Sequence, residues 1–353
     1  MKLLDKYIAK SVLASVILVT LMLVGLQIFI LFVNQLDDIG RANFGIAQSA
    51  LFVLLQLPYQ VYLFFPMACL LGTLIGLGML ANNRELIVMR ASGMSISQIT
   101  IAVMKVAVFL IFIVTFLGET WIPKLSFLSN NIKLQALSGG QTLRTIQGVW
   151  VRSGNNFINI GEILPNKILE NVYQVSFDEN YVMKQTLSIK RVEYINGIWR
   201  ATDIAETKIY PDHTEAFTKR NGIWELPINL SILKLGNKPD EMTLPELKKF
   251  IKVQDRNHQS ASNYQLEYWQ RMIQPITTLV MILLAIPFIF GPLRSSSMGS
   301  KLIVGATVGF SFHIMNKFLA PLSQVLQWPP FLAALGPTLI FAFLGIYLMR
   351  RVK

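Results

Sequence analysis

Long stretches of this chain carry no Asp, Glu, Lys or Arg: residues 11–36, 42–83, 106–118 with 91–104 ahead of Lys105, 272–293 and 318–349. A helix that crosses a bilayer needs about 20 mostly apolar residues. Because lipid cannot hydrogen-bond the backbone, such a run crosses the membrane as a helix. The lengths predict six spans, near 10–36, 54–82, 97–121, 270–291, 300–320 and 331–350. The fifth is the least apolar, interrupted by His313 and Lys317 and limited at its far end by Pro321.

Charge orients these spans. Outside residues 125–271 the chain has fourteen Lys/Arg against five Asp/Glu, and bases such as Lys2, Lys6, Lys10, Arg84, Arg90, Arg294, Lys301, Arg350, Arg351 and Lys353 flank alternate ends of the apolar runs. Basic short loops stay in the cytoplasm. Both termini therefore belong on the cytoplasmic side, and residues 125–271 on the other. The net charge of +12 is not a nucleic-acid signature, since 125–271 holds eighteen bases against fifteen acids and most of the excess lies at membrane ends. There it sets topology and meets anionic lipid headgroups, so membrane lipids and not nucleic acid are the expected partners. Cys69 has no second cysteine to pair with in the chain. The first apolar run exceeds a signal-peptide core and is expected to be retained as a helix.

Between spans three and four the period changes. From about 138 to 240, short alternating segments separated by turn residues predict strands at Gly148–Arg152, Asn156–Gly161, Val172–Phe177, Gln185–Tyr194, Trp199–Ile204 and Ala216–Lys219. Ser153-Gly154-Asn155 reads as a hairpin turn and Asp178-Glu179-Asn180 as another. Asn-Gly-Ile-Trp occurs at 196–199 and at 221–224; each Asn-Gly suits a tight turn, with the Trp opening the next strand. About a hundred residues of strand without helix predict a sandwich or jelly roll. Thr243-Leu244-Pro245-Glu246 is a capping box, so a helix should start near 244 and present Leu247, Phe250 and Ile251 on one face.

Catalytic patterns are sparse. Gly299-Ser300-Lys301 lacks the glycine spacing of a P-loop, and the histidines His213, His258 and His313 form no zinc-binding pattern, so neither a nucleotide nor a metal site is expected. Ser311 and His313 point about 200° apart on a helix, which argues against an intramembrane hydrolase built on them. Lys105 and Glu119 lie near opposite ends of span three and suit interfacial roles. Gly72-x-x-x-Gly76 and Gly305-x-x-x-Gly309 permit close helix approach. The loop between spans two and three is more informative. Asn82 to Gly93 contains a cap, a short mixed helix at about 83–92 and a glycine stop, with Ser95-x-x-Gln98 capping the next helix. Such a helix either lies on the membrane surface or offers Leu86, Met89 and Glu85 to a partner.

The full set of segments is specific in combination. Leu-Asp-Lys-Tyr at 4–7, Phe64-Phe65-Pro66-Met67-Ala68, Leu77-Gly78-Met79-Leu80, Arg84-Glu85-Leu86 and Ala91-Ser92-Gly93 are followed by Gly154-Asn155-Asn156-Phe157, Tyr264-Gln265-Leu266, Gln274-Pro275, Phe288–Arg294 and Met298-Gly299. Over essentially its whole length the chain resembles the LptF/LptG family, the permease subunits of the bacterial lipopolysaccharide export ABC transporter. The resemblance implies an α-helical inner-membrane protein with six transmembrane helices and an inserted periplasmic all-β, jelly-roll-like domain between helices 3 and 4. Its expected divisions are 1–124, 125–265 (the β domain with its connecting helix) and 266–353. It also implies an LptF-like sister permease, an LptB-like ATPase dimer that binds the ATP and Mg, and an LptC-like bridge protein. This chain itself is then a non-catalytic subunit without cofactor.

On the same resemblance, Glu85 holds the position of the coupling glutamate, with Leu86, Met89 and Arg90 beside it on a helix docked in the ATPase. Lipopolysaccharide would enter a cavity lined by spans one, two and five of both permeases. Phe64, Phe65, Phe310, Phe312 and Phe318 are its candidate lining residues. One departure concerns the headgroup. Lysines usual near the outer end of span one are replaced here by Asn34-Gln35-Leu36-Asp37-Asp38. Phosphate recognition then passes to Arg41, Lys133 or the LptF-like partner, or to divalent cations on Asp37 and Asp38, or else the local lipopolysaccharide is less phosphorylated. Alternatives from other classes are a permease for another amphiphile or lipoprotein, and an envelope scaffold that passes no lipid.

Overall fold

The computed structural model describes residues 3–137, 144–164, 168–178, 180–195, 198–224, 238–256, 260–291 and 297–351. In chain order, α1 (Leu3–Val33) is followed by a 3-10 turn at Leu36–Asp38, α2 (Ile46–Asn82), α3 (Glu85–Ala91), α4 (Ile96–Thr120) and α5 (Ile122–Leu137). Six strands come next: β1 (Arg144–Ser153), β2 (Asn156–Leu164), β3 (Ile168–Phe177), β4 (Met183–Ile195), β5 (Ile198–Ile209) and β6 (Thr214–Ile223). The chain returns through a 3-10 turn at Pro239–Glu241, α6 (Leu244–Arg256), α7 (Ser262–Phe290), α8 (Met298–Val325) and α9 (Pro330–Arg351).

Six of these helices, α1, α2, α4, α7, α8 and α9, are long and apolar enough to cross a membrane. The expected end of the fifth span at Pro321 is corrected: α8 runs on to Val325 with Pro321 inside it. Membrane helices tolerate proline where neighbouring groups take up the freed carbonyl. α2 and α7 are mostly buried, whereas α1, α4, α8 and α9 turn most of their residues outward. With lipid tails as apolar as leucine, close packing and not exclusion of water holds such helices together. Their shared core joins Ile8, Val12 and Val16 of α1 to Leu70, Leu74 and Leu77 of α2, Ile99 and Ala102 of α4, and Met281 and Ala285 of α7.

The two glycine pairs do different work. A Cβ on Gly72 would stand 2.5 Å from the Val16 Cα, and one on Gly76 2.8 Å from the Val12 Cα, so α1 lies backbone to backbone on α2. The Ser11 hydroxyl adds a 3.1 Å hydrogen bond to the Gly76 carbonyl. Gly305 and Gly309 instead meet the side-chain ends of Leu74 and Met67.

The strands form one antiparallel sheet in sequence order, β1-β2-β3-β4-β5-β6, which is the expected all-β insertion; the second layer of a jelly roll has no strand among the described residues. Its buried face carries Ile158, Ile160, Leu169, Val172, Ile189, Val192, Trp199, Ala201 and Ile204, with Val253 of α6 packed against it. Alternation breaks once in each of β3, β4 and β5. Asn171 and Asp203 have φ of 55° and 54°, and Ile160↔Val172, Ile189↔Ile204 and Ile204↔Lys219 pair on one side of them. Asparagine and aspartate tolerate this left-handed conformation better than most residues. The inward phase therefore slips by one residue in β3 and β5 and in β4 between them, placing Leu169 and Val172, and likewise Ile189 and Val192, three apart on the same face.

Turns are partly as expected. Ser153 pairs with Asn156 around Gly154, whose φ is 60°. The Asp178 carboxylate accepts from the Asn180 and Val182 amides at 2.8 and 2.9 Å. Asn196-Gly197 lies outside the described residues. The second Asn-Gly is not a turn: Asn221 and Gly222 pair with Thr202 and Ala201 within β6. A Cβ there would stand 2.6 Å from Ile204 Cδ1, a side-chain end that would have to shift. Trp224 follows as a buried plug, donating from Nε1 to Gln174 Oε1 at 2.9 Å. Trp224→Phe should lower stability by about 1–3 kcal/mol, the usual cost of an unmatched buried polar atom. Circular dichroism melting checks it, and Gln174→Leu in the same chain should recover part of the loss.

Candidate functional site

Two ends of the bundle hold the residues of interest. At the end away from the sheet, α2 stops at Asn82 and α3 begins after Arg84, a non-glycine residue at φ 61°. Gly93 at φ 94° ends the segment, and Ser95 caps α4 through Gln98 with the expected capping box. The seven-residue α3 is therefore a short crossbar. Leu86 and Met89 do not face outward as anticipated; they are buried in the bundle core and anchor the crossbar. On a helix the opposite face then carries the contacts available to another molecule. That face shows Ile87 and Val88, 56 % and 67 % exposed, flanked by exposed Arg84 and Arg90. Glu85, half-buried, accepts from Asn83 Nδ2 at 3.2 Å and is hydrogen-bonded by Tyr7. No basic side chain pairs with it among the described residues, so its negative charge is held in place by neutral donors.

At the sheet end, Arg41 and Lys133 meet over one carboxylate. Arg41 Nη1 lies 3.1 Å from Asp38 Oδ1 and Lys133 Nζ 2.8 Å from Asp38 Oδ2. Lys133 also donates to Gln35 Oε1 and stands over the Phe44 and Phe52 rings at 5.8 and 5.3 Å. Asp38 is thereby saturated by cations of its own chain, while Asp37 remains exposed. Arg41 and Lys133 against Asp38 leave one positive charge at the contact itself, with the Asp37 carboxylate next to it in the chain.

The five phenylalanines do not share a wall. Phe64 and Phe65 are buried on α2, Phe64 stacked on His313 at 4.9 Å, and Phe312 is buried edge-on to Phe341 at 5.4 Å. Phe310 and Phe318 face outward. Ser311 is exposed, turned away from His313 as the helical angle requires. Among the described residues no three His, Cys, Asp or Glu side chains come together as metal ligands.

A joint between helices and sheet went unread in the sequence. Arg271, 5 % exposed on α7, is 2.8 Å from Glu267 and donates to the carbonyls of Met242 and Pro239 at 2.6 and 3.1 Å. Glu119 at the end of α4 accepts from the Leu244 amide at 3.0 Å, filling the first turn of α6. Asn130 of α5 bridges, donating to Glu241 at 2.6 Å and accepting from Lys238 at 3.3 Å. Burial pushes the Glu241 carboxyl above the usual range, against the pull of Asn130. α5 is itself pinned to α2, with Ser129 donating to the Phe52 carbonyl and accepting from Gln56, both at 3.2 Å. The only signal available was an arginine and two acids at span ends.

Comparison with known proteins places this architecture. The profile of the family described as lipopolysaccharide export system permease LptF/LptG matches residues 6–351. The lipopolysaccharide export system permease protein LptG of Escherichia coli is 34 % identical over 354 residues, covering 99 % of this chain and 98 % of that protein. The protein of the same name from Haemophilus influenzae is 33 % identical, covering 99 % of both. A six-span multi-pass membrane protein with a β insertion that matches along nearly its whole length, the chain belongs to the LptF/LptG family of lipopolysaccharide export system permeases.

Proposed function

We propose that this chain is a permease subunit of an ABC transporter that extracts lipopolysaccharide from the inner membrane and passes it through the β domain to a periplasmic bridge. Both termini and α3 then lie in the cytoplasm, and the sheet in the periplasm. It pairs with an LptF-like permease, rests on an LptB-like ATPase dimer that binds ATP and Mg, and hands lipid to an LptC-like bridge. The observation that carries the coupling is α3: a crossbar rooted in the core by Leu86 and Met89, with Glu85 beside an exposed apolar face. A contact there transmits force into α2 without any catalytic group in this chain. Glu85 takes an arginine of the ATPase, with Arg90 at the rim. Arg41 and the shared Lys133 hold a headgroup phosphate, since their surplus charge lies at the outer end of α1 and α2.

The test places a photo-crosslinking aromatic residue at Phe310 in the bundle and another at Tyr194 beside the sheet core, in the complex reconstituted with its three partners. Lipopolysaccharide adducts at Tyr194 should require ATP and fall at least tenfold in Glu85→Arg, while adducts at Phe310 persist. Equal Tyr194 labelling with and without ATP would remove the coupled route, and no adducts at either position in an intact complex would support a scaffold.

A further inference from the structure

Between α2, α7, α8 and α9 lies a cavity of about 340 Å³ that is separate from the Asp38 cluster and from α3. Its size falls in the range of ligand pockets, about 300–1,000 Å³. Leu63 and Met67 of α2, Ile273 of α7 and Phe312 of α8 form an apolar wall. The remaining lining includes Gln270 of α7 and His313, Asn316 and Lys317 of α8. Positions 313, 316 and 317 are spaced i, i+3 and i+4, so they share one helix face. α2 and α8 touch at Gly309 and Met67 and again where Phe64 stacks on His313, and the cavity opens beside this contact.

Gln274 and Thr277 of the lining are paired, to the Tyr62 carbonyl and to the Thr338 hydroxyl, whereas two polar groups of α8 are not. Among the described residues Lys317 has neither an ion pair nor a hydrogen bond, and Asn316 has no hydrogen bond. Lys317 lies eight residues before the end of α8 at Val325, about 12 Å inside that helix end at 1.5 Å per residue. A cation within a membrane span is costly unless something answers its charge. An apolar wall facing a lone cation and a free amide fits an amphiphile with an anionic head. The volume takes part of one acyl chain beside an anionic head, and any further chain of the lipid stays in the bilayer.

We infer that this cavity binds a single anionic glycerophospholipid drawn from the surrounding bilayer, its phosphate on Lys317 and Asn316 and one acyl chain along Leu63, Met67 and Phe312. This site lies inside one subunit and goes beyond the transport route proposed above.

The full chain, in its complex, is placed in nanodiscs containing phosphatidylglycerol with a photoactivatable diazirine on one acyl chain, and adducts are mapped by peptide mass spectrometry. Labelling should concentrate on the peptides holding Leu63 to Met67 and Ile273. It should fall about tenfold in Lys317→Gln and be kept in Lys317→Arg, with thermal midpoint and complex assembly unchanged in both. Unlabelled phosphatidylglycerol should compete and phosphatidylcholine should not. Unchanged labelling in Lys317→Gln would show that the lysine merely extends to the membrane surface and would overturn the site. Competition by lipopolysaccharide with none by phosphatidylglycerol would assign the cavity to the transported lipid and overturn it equally. Transport cross-links at Tyr194 in Lys317→Gln report separately on the proposed function.

Discussion

Gly72→Leu is expected to yield almost no monodisperse protein, because the new side chain has no route of escape. Its Cβ would stand 2.5 Å from the Val16 Cα and 2.7 Å from the Val16 amide nitrogen, so the obstacle is backbone and cannot rotate away. Overpacking a well-filled core usually costs about 1–3 kcal/mol, and a clash with a fixed helix axis belongs at or beyond the upper end. Separating α1 from α2 also breaks the Ser11 bond to Gly76 and opens the contacts of Ile8, Val12 and Val16. Size-exclusion profiles and thermal midpoints in detergent measure the loss. Gly305→Leu is the matched control. Its Cβ meets Leu74 Cδ1 at 2.5 Å, the end of a flexible side chain, so the cost should be well below that of Gly72→Leu. Equal losses would mean that the two helix contacts are equally rigid, contrary to the geometry.

Arg271→Met should detach the β domain from the helices while leaving each folded. The substitution strands the Glu267 carboxylate and the carbonyls of Met242 and Pro239, all of which the guanidinium now serves. Removing one partner of a buried pair typically costs about 3–5 kcal/mol, chiefly through the charge left behind. Limited proteolysis should then cut first between residues 238 and 262, with the helical bundle surviving as a resistant fragment. Combining Arg271→Met with Glu267→Gln should return part of the stability, since the stranded charge is gone. If the single variant resists protease like the parent chain, the joint is held by Glu119 and Asn130 alone. If force enters at α3 as proposed above, the joint also bears on transport, because that force reaches the sheet through helices attached to it.

Several features were legible in residue order because their causes are local. Thr243 and Glu246 form their capping box, the Thr243 amide donating to Glu246 at 3.1 Å, since the partners are three residues apart. Gly154 turns its hairpin for the same reason. Strand limits were less legible. The alternating pattern halts at Gly161, resumes at Val172 and halts again at Ile204, and these are the places where Asn171 and Asp203 shift the inward face. A period-2 pattern read along one strand cannot show a distortion propagated by its neighbours. The orientation of α3 was equally hidden. Leu86 and Met89 form an apolar pair that suits either a partner or the chain's own core, and burial against the bundle decides between them.

Sequence alone determined that six apolar runs must cross a membrane and that a polar, strand-forming domain interrupts them, because lipid imposes length and uncharged composition on every span independently of its neighbours. Tertiary structure alone decided which face of each helix meets which partner. It set Gly72 against Val16, Arg271 beneath Met242, Lys133 on Asp38 and Lys317 on an open cavity. Spans that are apolar all round carry almost no facial signal, so their packing rests on shape and on a few polar contacts between residues far apart in the chain.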